Sequence, residues 1–390
     1  MNIRLVGAGI SGLACATELA TLGHSVTIHE ASSSLDDIGA GIQLSPNAMH
    51  VLADYGLKEE ILDLGSEPEK IIFQSHNSLQ PLLKIDIKKI SNNNYQNHYI
   101  HIHRADLIKT LYTKAVSLGV RVRFNSKGLD FKHENDCIEL RLSNNESKTC
   151  DLLIAADGVK SLFRNKIASS NKRFFSGKVA WRCLIEPKEY VKSFSLNHAY
   201  AFLGPKNHLV AYPIRNNQLI NIVAITSAKE WIEEEWSIPG TKEELLKNFL
   251  DWHPKINHLI DSCSEVHKWG LFDHEQLNVW SFKNLVLLGD ACHPMLPFMA
   301  QGGAAGIESG FILAKLIDKH QDNLNLAFTS YKEMRDKRTF YLQNVSRSNG
   351  IIFHLHPIFR WLVFKWASIF PFIIENRNKR VFNFNPLKEF

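Results

Sequence analysis

The sequence predicts an α/β protein in which a Rossmann-like domain is interrupted by a mostly antiparallel β-sheet and followed by C-terminal helices. Three observations predict this fold: an N-terminal strand–glycine turn–helix–strand unit, a series of short strands between residues 178 and 268, and a helical pattern after Gly289. Alternating strands and helices are typical of parallel sheets, whereas closely spaced strands separated by turn residues are typical of antiparallel ones. The 390 residues exceed what one hydrophobic core usually organises.

The N-terminal unit is predicted from its apolar runs. Ile3–Val6 and Ser25–His29 have the composition of buried strands, and Leu13–Leu22 is rich in the helix formers Ala and Leu. Gly23 follows that helix, as glycine often does at a helix end. The unit is therefore a βαβ motif.

The hexapeptide GAGISG, residues 7–12, fits the G-x-G-x-x-G pattern of dinucleotide-binding sites. Its glycines permit a tight turn, close approach of the backbone to a pyrophosphate, and close packing of helix on strand. An acid ends the next strand, where it can accept hydrogen bonds from a ribose. We predict an adenine-dinucleotide site that holds FAD rather than NAD, formed by Gly7, Gly9, Ser11, Gly12 and Glu30.

The next part of the chain alternates between helical and strand patterns up to the antiparallel region. The predicted helices are Asn47–Leu64, broken at Gly56, and Arg104–Leu118. The other predicted elements are strands over 71–87, a polar loop over Ser91–His98, and strands at Val120–Phe124, Gly128–His133 and Cys137–Leu142.

Composition excludes several classes of function. The net charge of +5 is dispersed, which argues against nucleic acid as a partner. Neither an HExxH motif nor a Cys/His cluster with zinc spacing occurs, so we expect no metal. Six scattered cysteines without a CxxC pair predict reduced thiols and a cytoplasmic location. No signal peptide is expected before the first strand.

The segment 358–374 is the most apolar part of the C-terminal region. Arg360, Lys365 and Pro371 interrupt it, which argues against a transmembrane span. We interpret it as a helix covering a pocket, and peripheral membrane contact is the alternative. The sequence leaves a monomer and a homodimer both open.

Three later motifs place single charged residues at strand ends or helix starts. HIHRADL puts Arg104 at the entry to a helix, and LLIAADGVKSLFR puts Asp157 after a buried strand. In NLVLLGDACHPMLPFMAQGG, Asp290 follows the strand Leu285–Leu288 and precedes a helix rich in small residues. An Asp-Gly pair alone is consistent with a simple turn, and Arg104 alone with a surface position near a helix cap.

Taken together and in this order, the glycine motif, AADGVKSLFR and LLGDACHPMLPFMAQG resemble the single-component FAD-dependent aromatic hydroxylases over nearly the whole chain. The resemblance is closest to the salicylate hydroxylase, 3-hydroxybenzoate 6-hydroxylase and 6-hydroxynicotinate monooxygenase branch, which GAGIQLSPNA (residues 39–48, with Gln43) and GKVAWRCLI (residues 177–185) also resemble. It implies the p-hydroxybenzoate-hydroxylase-like fold. The implied domains are an FAD domain (1–70, 98–177, 271–350), a substrate-binding sheet domain (71–97, 178–270) and a helical cover (351–390).

The resemblance also implies roles for individual residues. Asp290 would accept hydrogen bonds from the ribityl chain, and Arg104 would serve the phosphate or ribityl region. Gly302 and Gly303 would approach the flavin pyrimidine edge, and Asp157 would lie near the FAD and nicotinamide. FAD would be tightly bound and NAD(P)H would be a transient co-substrate. O2 would form a C4a-hydroperoxyflavin that hydroxylates a small phenolic acid or hydroxypyridine.

HLVAYP places His208 and Tyr212 four residues apart on a strand, so both side chains share one face. The 3-hydroxybenzoate 6-hydroxylase branch is similar here, and His208 is our candidate proton acceptor for a phenol; a core His beside a core Tyr is the alternative. Gln301 is the third catalytic candidate and would line the same cavity. Weaker candidates for substrate contact are Trp181, Arg182, Pro297 and Met299.

The sequence departs from the resemblance in two places. GIESG, residues 306–310, keeps Glu308 but has Ser309 and Gly310 where relatives mostly have Asp and Ala, and an internal glycine weakens a helix. The basic ending ENRNKRVFNFNPLKEF also differs. Two other functions stay open, namely hydroxylation of a quinone or lipid precursor, and NADH oxidation or sensing without hydroxylation.

Overall fold

The computed structural model describes residues 1–35, 40–95, 97–134, 137–168, 173–231 and 238–390. Gly39, the first residue of the GAGIQLSPNA motif, lies outside the described residues.

Within the described residues, the strands fall into four sheets. They are β1 (Asn2–Val6), β2 (Ser25–His29), β3 (Gly41–Leu44), β4 (Lys70–Ser75), β5 (Pro81–Ile85), β6 (Ile100–His103), β7 (Arg121–Arg123), β8 (Gly128–Glu134), β9 (Cys137–Leu142), β10 (Ser147–Cys150), β11 (Leu152–Ala155), β12 (Arg173–Ile185), β13 (His198–Leu203), β14 (His208–Ile214), β15 (Leu219–Ser227), β16 (Ile238–Gly240), β17 (Val266–His274), β18 (Ser281–Phe282) and β19 (Leu285–Leu287).

The helices connect and cover these sheets. They are α1 (Ile10–Thr21), α2 (Pro46–Asp54), α3 (Lys58–Leu64), α4 (Ile87–Tyr95), α5 (Arg104–Ser117), α6 (Leu162–Ile167), α7 (Pro187–Tyr190), α8 (Lys242–Leu246), α9 (Pro254–Asp261), α10 (Gly302–Lys319), α11 (Leu324–Phe353), α12 (Pro357–Ile369) and α13 (Pro371–Phe382), with single 3-10 turns at Gly289–Ala291, Pro297–Met299 and Pro386–Glu389.

The first sheet has the order β18-β19-β11-β1-β2-β7 and is parallel except for the pair β18–β19. Its strands and the helices α1, α5 and α10 bury one large apolar core. The expected βαβ unit is thus confirmed. Because parallel strands all end at the same edge, the ends of β1, β2 and β19 lie near one another.

The second large sheet has the order β16-β17-β12-β15-β14-β13-β4-β5 and is antiparallel except for the pair β13–β4. The expected antiparallel sheet between residues 178 and 268 is present, and the predicted strands within 71–87 join it. One face packs against α8 and α9 in a separate apolar core. The other face is turned towards the ribbon of β3 and β6, as the contact between Gly41 and Tyr212 shows.

The polar loop expected over Ser91–His98 is wrong, because residues 87–95 form α4. Ile87, Ser91 and Tyr95 are spaced four residues apart and are all buried, so they form one inward face of a helix. The run of asparagines between them hid this spacing in the sequence. Burial of that face outweighs the low helix propensity of asparagine.

The expectation of six reduced thiols is also wrong for one pair. Cys183 on β12 and Cys263 after α9 form a disulfide between residues 80 positions apart in the chain. Both residues are buried in the core between the second sheet and its helices. The other four cysteines, Cys15, Cys137, Cys150 and Cys292, are free thiols.

Helices α1 and α10 cross very closely, and glycines in α10 permit this approach. A Cβ on Gly306 would lie 2.2 Å from Ser11 Oγ, and a Cβ on Gly310 would lie 2.9 Å from the Cys15 nitrogen. Gly310, which the sequence marks only as a weak helix residue, is therefore needed for backbone contact between two helices. Its neighbour Ser309 accepts a hydrogen bond from Arg335 and lies 2.9 Å from His293 Nε2.

We expect Gly310→Ala to lower the free energy of unfolding by about 1–3 kcal/mol, as overpacking does, although alanine favours helix by about 1 kcal/mol. Urea unfolding of the flavin-free protein measures this change. Gly303→Ala is the matched control, because in the same helix a Cβ there meets no atom closer than 3.8 Å. Equal stability of Gly310→Ala and the wild-type protein would contradict the packing argument.

Candidate functional site

The loop Gly7–Gly12 (hereafter the glycine loop) has the geometry expected of a phosphate-binding turn. Gly7 has φ +102°, and a Cβ there would lie 2.4 Å from the Ala156 carbonyl oxygen. A Cβ on Gly12 would lie 2.2 Å from the Gly7 oxygen. Gly9, by contrast, has no described atom within 4 Å of its Cβ position, so its side of the loop is open for a ligand. The first turn of α1 then presents unpaired N–H groups to that open side.

Glu30 lies directly after β2, and its carboxylate accepts hydrogen bonds from two backbone N–H groups. Oε2 accepts a hydrogen bond of 2.7 Å from the Ala8 N–H in the glycine loop, and Oε1 accepts one of 2.8 Å from the Ser32 N–H. A half-buried carboxylate is thus fixed beside the open face of Gly9. This is the position from which an acid accepts hydrogen bonds from a ribose.

Asp290 lies in the 3-10 turn that follows β19, near the space beside Gly9, Glu30 and Arg104 that is hereafter called the cleft. Its side chain is accessible to solvent, yet the walls of the cleft enclose it closely enough to raise the pKa of its carboxyl group. The charges of Arg104 and Arg164 oppose that rise. A ligand that fills the cleft would cover Asp290 and replace the water that now solvates it.

Arg104 electrostatically links the parts of the site. It begins α5, and burial, followed by the charge of Arg182, lowers its pKa, while Asp290 and Glu30 act in the opposite direction. Arg104 therefore lies within electrostatic range of the glycine-loop carboxylate, the strand-tip carboxylate and a cation of the second sheet. The structure brings together residues that are up to 260 positions apart in the chain.

Arg164 belongs to the site, although the sequence reasoning did not select it. Its guanidinium donates to the carbonyl oxygens of Asp290 at 3.2 Å, Ala291 at 3.4 Å and Val159. It thereby ties the 3-10 turn of Asp290 to the loop after β11. Arg164 is the last residue of the motif AADGVKSLFR. Its position on a short helix does not by itself indicate a role in a site.

Asp157 makes its contacts with its own helix. Its carboxylate accepts hydrogen bonds from Ser161 Oγ at 2.6 Å and from the N–H groups of Leu162 and Phe163 at the start of α6. These contacts favour the alternative interpretation of a turn residue that stabilises a helix start. A direct contact of Asp157 with FAD stays a prediction.

The start of α10 combines loosely packed glycines with a buried glutamine. No described atom lies closer than 3.8 Å to a Cβ placed on Gly302 or Gly303, so neither glycine is tightly packed. The Gln301 side chain is buried and turned inward, where Nε2 donates to Ser45 Oγ at 2.9 Å and Oε1 accepts from Asn47 Nδ2 at 3.2 Å. This geometry favours a role of Gln301 in holding the helix start over direct contact with a substrate.

Ser11 and Gln43 also make contacts within the protein. Ser11 Oγ fills the space beside Gly289 and Gly306, whose missing side chains permit it. Gln43 on β3 accepts a hydrogen bond from the Tyr99 hydroxyl and lies close enough to Tyr212 to bond its hydroxyl. Both residues border the cleft, and their cofactor contacts stay predictions.

The second sheet separates two candidates that are neighbours in sequence. Arg182 shares one face of the sheet with His208 and Tyr212, whereas Trp181 points to the opposite face. There Trp181 is buried in the apolar core, and its Nε1 donates to Thr226 Oγ1 at 2.8 Å. This placement argues against the expected contact of Trp181 with substrate, because successive side chains of a strand point to opposite faces.

Arg182 has unused hydrogen-bonding capacity. Its Nε is buried and has no hydrogen-bond partner among the described residues, and its guanidinium lies 5.1 Å from the centroid of the Trp269 ring. Burial lowers its pKa, and the nearby Tyr212 phenol opposes this effect. An unpaired guanidinium nitrogen at this depth favours binding of an anionic group of a ligand.

His208 begins β14 and is paired with a second histidine. Its Nδ1 lies 2.8 Å from Nε2 of His354, the residue that follows α11. Burial is the main reason that the pKa of His208 lies well below 6.5 and that of His354 falls to about 4, so both rings are neutral at pH 7. One ring must therefore donate to the other. If Nδ1 of His208 donates, its Nε2 stays available to accept a proton.

Aromatic rings enclose the histidine pair. Phe298 and Phe353 lie 5.7 and 5.3 Å from the His208 ring, centroid to centroid. Pro297, in the same 3-10 turn as Phe298, is exposed, and Asn349 Nδ2 lies 3.4 Å from Met299 Sδ. The sequence reasoning missed His354 and Phe298. His354 lies in the motif FHLHP, 146 positions from His208, and no local pattern in the sequence connects the two residues.

The residues of the cleft fit FAD. The open backbone at Gly9 leaves room for phosphates, and the loosely packed Gly302 and Gly303 could accommodate a flavin edge. Glu30 and Asp290 supply acceptors for the hydroxyl groups of a ribose and a ribityl chain. Among the described residues, no group of three His, Cys, Asp or Glu side chains is arranged to hold a metal ion.

Comparisons with known proteins agree with this geometry. Residues 1–337 match the model of a family described as an FAD binding domain. The chain belongs to this FAD-binding family. The expected FAD cofactor and the resemblance to FAD-dependent aromatic hydroxylases are thereby confirmed.

Curated relatives match over most of their length. A 3-amino-4-hydroxybenzoate 2-monooxygenase of Streptomyces platensis is 31% identical over 354 residues, which are 91% of this chain and 89% of the relative. A 3-hydroxybenzoate 6-hydroxylase of Polaromonas naphthalenivorans is 30% identical over 365 residues, 92% of this chain and 90% of the relative. A 6-hydroxynicotinate 3-monooxygenase of Bordetella bronchiseptica is 29% identical over 352 residues, 89% of this chain and 91% of the relative.

Solved structures show the same fold. A salicylate hydroxylase in complex with substrate has a TM-score of 0.82 at 22% identity and covers 99% of this chain and 96% of its own. Klebsiella pneumoniae HpxO in complex with FAD and uric acid has a TM-score of 0.86 at 21% identity and covers 99% and 97%. The expected p-hydroxybenzoate-hydroxylase-like fold class is confirmed.

We expect Asp290→Ala to weaken FAD binding at least tenfold, because a hydrogen bond to a charged group contributes about 1.5–3 kcal/mol. Flavin fluorescence during titration of the flavin-free protein measures the dissociation constant. Asp130→Ala, which removes an exposed carboxylate, is the control and should bind FAD as the wild type does. A fully flavin-loaded Asp290→Ala protein would refute the assigned role of Asp290.

Proposed function

We propose that this FAD-dependent aromatic monooxygenase hydroxylates a small aromatic acid that carries a phenolic hydroxyl or a hydroxypyridine ring. The observation that carries the proposal is Arg182, whose buried Nε has no hydrogen-bond partner among the described residues and which lies on the sheet face that also bears His208 and Tyr212. The relatives named above act on 3-amino-4-hydroxybenzoate, 3-hydroxybenzoate and 6-hydroxynicotinate, and each of these substrates carries a carboxylate.

In this proposal, the chain's own residues bind, orient and deprotonate the substrate. Arg182 binds the carboxylate, and the aromatic side chains Phe298 and Phe353 exclude water from the ring. His208, oriented by His354, accepts the hydrogen bond or proton of the ring hydroxyl, which makes the ring more electron-rich. Bound FAD supplies the redox chemistry with NAD(P)H as reductant and O2 as oxidant.

The low basicity of His208 limits how it acts. A ring held neutral by burial accepts a hydrogen bond well but holds a full proton weakly. In this proposal His354, whose Nε2 lies 2.8 Å from Nδ1 of His208, accepts the Nδ1–H of His208 and thereby leaves Nε2 of His208 as the acceptor for the phenol. The two rings together therefore provide one oriented acceptor at the substrate hydroxyl, and the hydrogen bond to it makes the substrate ring more electron-rich.

A quinone or lipid precursor is the second candidate substrate. It is favoured by the apolar surface of the C-terminal helices, where Trp361 and Trp366 are exposed. Such a substrate would not need Arg182. The cytoplasmic location and the choice between monomer and homodimer stay predictions from the sequence.

The test is NADH and NADPH oxidation by the FAD-loaded protein in air, against a panel of phenolic acids, hydroxypyridine acids and their amides, with product mass measured alongside. We expect an acid to accelerate oxidation and to gain one oxygen atom. Acceleration by acids without any oxygen transfer would favour the non-hydroxylating oxidase. Silence towards every acid would overturn the proposal and favour the lipid precursor.

We expect Arg182→Gln to raise KM for the acid at least tenfold, since it removes a charge-assisted hydrogen bond worth about 1.5–3 kcal/mol, and to leave KM for the matching amide unchanged. Arg182→Lys should recover part of the loss. Arg173→Gln, on the same strand but over the Phe272 ring, is the control. An equal rise for acid and amide would show that Arg182 does not bind the carboxylate.

We expect His208→Phe to retain FAD while product formation slows by about 100-fold or more, the usual contribution of a positioned acid or base. Single-turnover product formation, measured beside the flavin content, separates these two properties. His198→Phe on the neighbouring strand is the matched control. Undiminished product formation in His208→Phe would remove His208 from the reaction.

A further inference from the structure

The helix α12 exposes its apolar residues and buries a charged one. Trp361 and Trp366 are 53% and 59% exposed, whereas Arg360 is 2% exposed. Lys365 and Ser368 are the polar side chains on the outward side. A surface helix of a water-soluble domain normally shows the opposite arrangement. The exposed large apolar residues of this helix are Ile358, Phe359, Trp361, Leu362, Val363, Trp366 and Ile369.

The inward side of α12 is firmly anchored. Arg360 donates through Nη1 to the carbonyl oxygens of Phe353 and Leu355 at the end of α11, at 3.3 and 3.4 Å. A cation at a helix C-terminus is favourable because the carbonyl groups there are unpaired. Phe364 is buried against Phe73 of the second sheet at 5.5 Å between ring centroids. The outward orientation of the apolar residues is thus set by specific contacts on the other side.

The shape of the segment decides between crossing a membrane and lying on it. In the described part of the chain, no single helix is long and apolar enough to cross a membrane; α12 and α13 pass the criterion only as a pair bent by 85°. The 13 residues of α12 span about 20 Å, less than the roughly 30 Å of a hydrocarbon core. The bend also places the exposed Phe372 and Ile373 at a corner beside Ile369.

Charge indicates the kind of surface that covers these residues. Residues 357–390 contain six Lys or Arg and two Glu side chains, hence four of the five net positive charges of the chain. Lys365 is exposed on α12 itself, and Lys379 and Arg380 are exposed in the last turn of α13. Apolar side chains with tryptophans, bordered by basic residues, are typical of helices that lie in the interface of anionic membranes.

We propose that α12 and the first turn of α13 lie in the headgroup region of an anionic phospholipid membrane, with the axis of α12 parallel to its surface. The exposed apolar residues surround most of α12, which suits immersion in lipid better than the single flat face that two copies of a chain would share. The proposal does not rest on the identity of the substrate.

The membrane-facing segment is directly connected to the candidate site. Phe353 and His354, which contact His208, belong to the end of α11 that Arg360 holds. A cleft of about 440 Å³ also lies between β5 and the corner of α12 and α13, lined by Leu82, Ile85, Ile90 and Ile374 among others. Contact with lipid would therefore hold in place the segment that closes the pocket over His208.

The test is sedimentation of the FAD-loaded full chain with vesicles of phosphatidylcholine, with and without 30% phosphatidylglycerol, a proportion of about one lipid in three that gives a strongly anionic surface. We expect binding to the anionic vesicles that weakens with salt. The double variant Phe359→Ser/Trp366→Ser should bind at least tenfold more weakly. Leu250→Ser/Phe282→Ser removes two similarly exposed residues elsewhere, at 64% and 48% exposure, and should bind as the wild type does.

A second variant separates charge from folding. Lys365→Glu/Lys379→Glu keeps the apolar residues and should also lose binding at least tenfold, with flavin content unchanged. Absence of wild-type binding to anionic vesicles, or equal salt-insensitive binding to both vesicle types, would overturn the proposal. So would light scattering that shows a dimer converted to a monomer by Phe359→Ser/Trp366→Ser, since the covering partner would then be a second copy of the chain.

Discussion

The buried carboxylate of Glu308 is the constraint on which the candidate site depends. It accepts hydrogen bonds from Asn47 and Arg338 and is paired with Arg335, whose Nη2 lies 2.7 Å from Oε2, while all but Arg338 are completely buried. Asn47 continues to Gln301 at the start of α10. One charge therefore joins α2, α10 and α11 next to the two glycines that begin α10.

The buried charge of Glu308 is stable only because the charges of both arginines compensate it. Burial alone would raise the pKa of Glu308, but the two arginines lower it to about 2 from an ordinary 4.5. A group with a depressed pKa in the folded state contributes stability that is present above its unfolded value. That contribution is lost as the pH falls from about 4.5 towards 2. Removal of the Glu308 carboxylate would leave the buried guanidinium of Arg335 without a countercharge, which usually costs about 3–5 kcal/mol.

Much of the fold could be predicted from sequence because its signals are local. A few consecutive residues predict each of three features, namely the βαβ unit, the strand end at Asp290 and the antiparallel region. The glycine motif in addition predicts a dinucleotide site. The helix α4 was missed because its inward face consists of only three residues separated by asparagines and lysines. Local propensity there opposes the tertiary contacts that decide the structure.

The residues expected to bind FAD could be predicted from the sequence more readily than the residues expected to bind the substrate. The FAD side is built from motifs, but the substrate side is built from pairs distant in sequence, such as His208 with His354. Asp157 and Gln301 were identified as special, yet their side chains serve neighbouring backbone and side chains in the structure. From the sequence, Arg182 and Trp181 were equal candidates for substrate contact. Which of two successive side chains faces the site depends on how the strand is oriented in the surrounding sheet.

That orientation is set by an irregularity within β12 itself. Between Phe175 and Lys178 the pairing with β17 shifts, and from Lys178 onward the strand is held between β15 and β17. A change of one residue in the length of this bulge would reverse every side chain that follows. Arg182 would then point into the apolar core behind the second sheet, and Trp181 would point to the face that bears His208. The irregularity between Phe175 and Lys178 therefore determines which face of the second sheet carries Arg182.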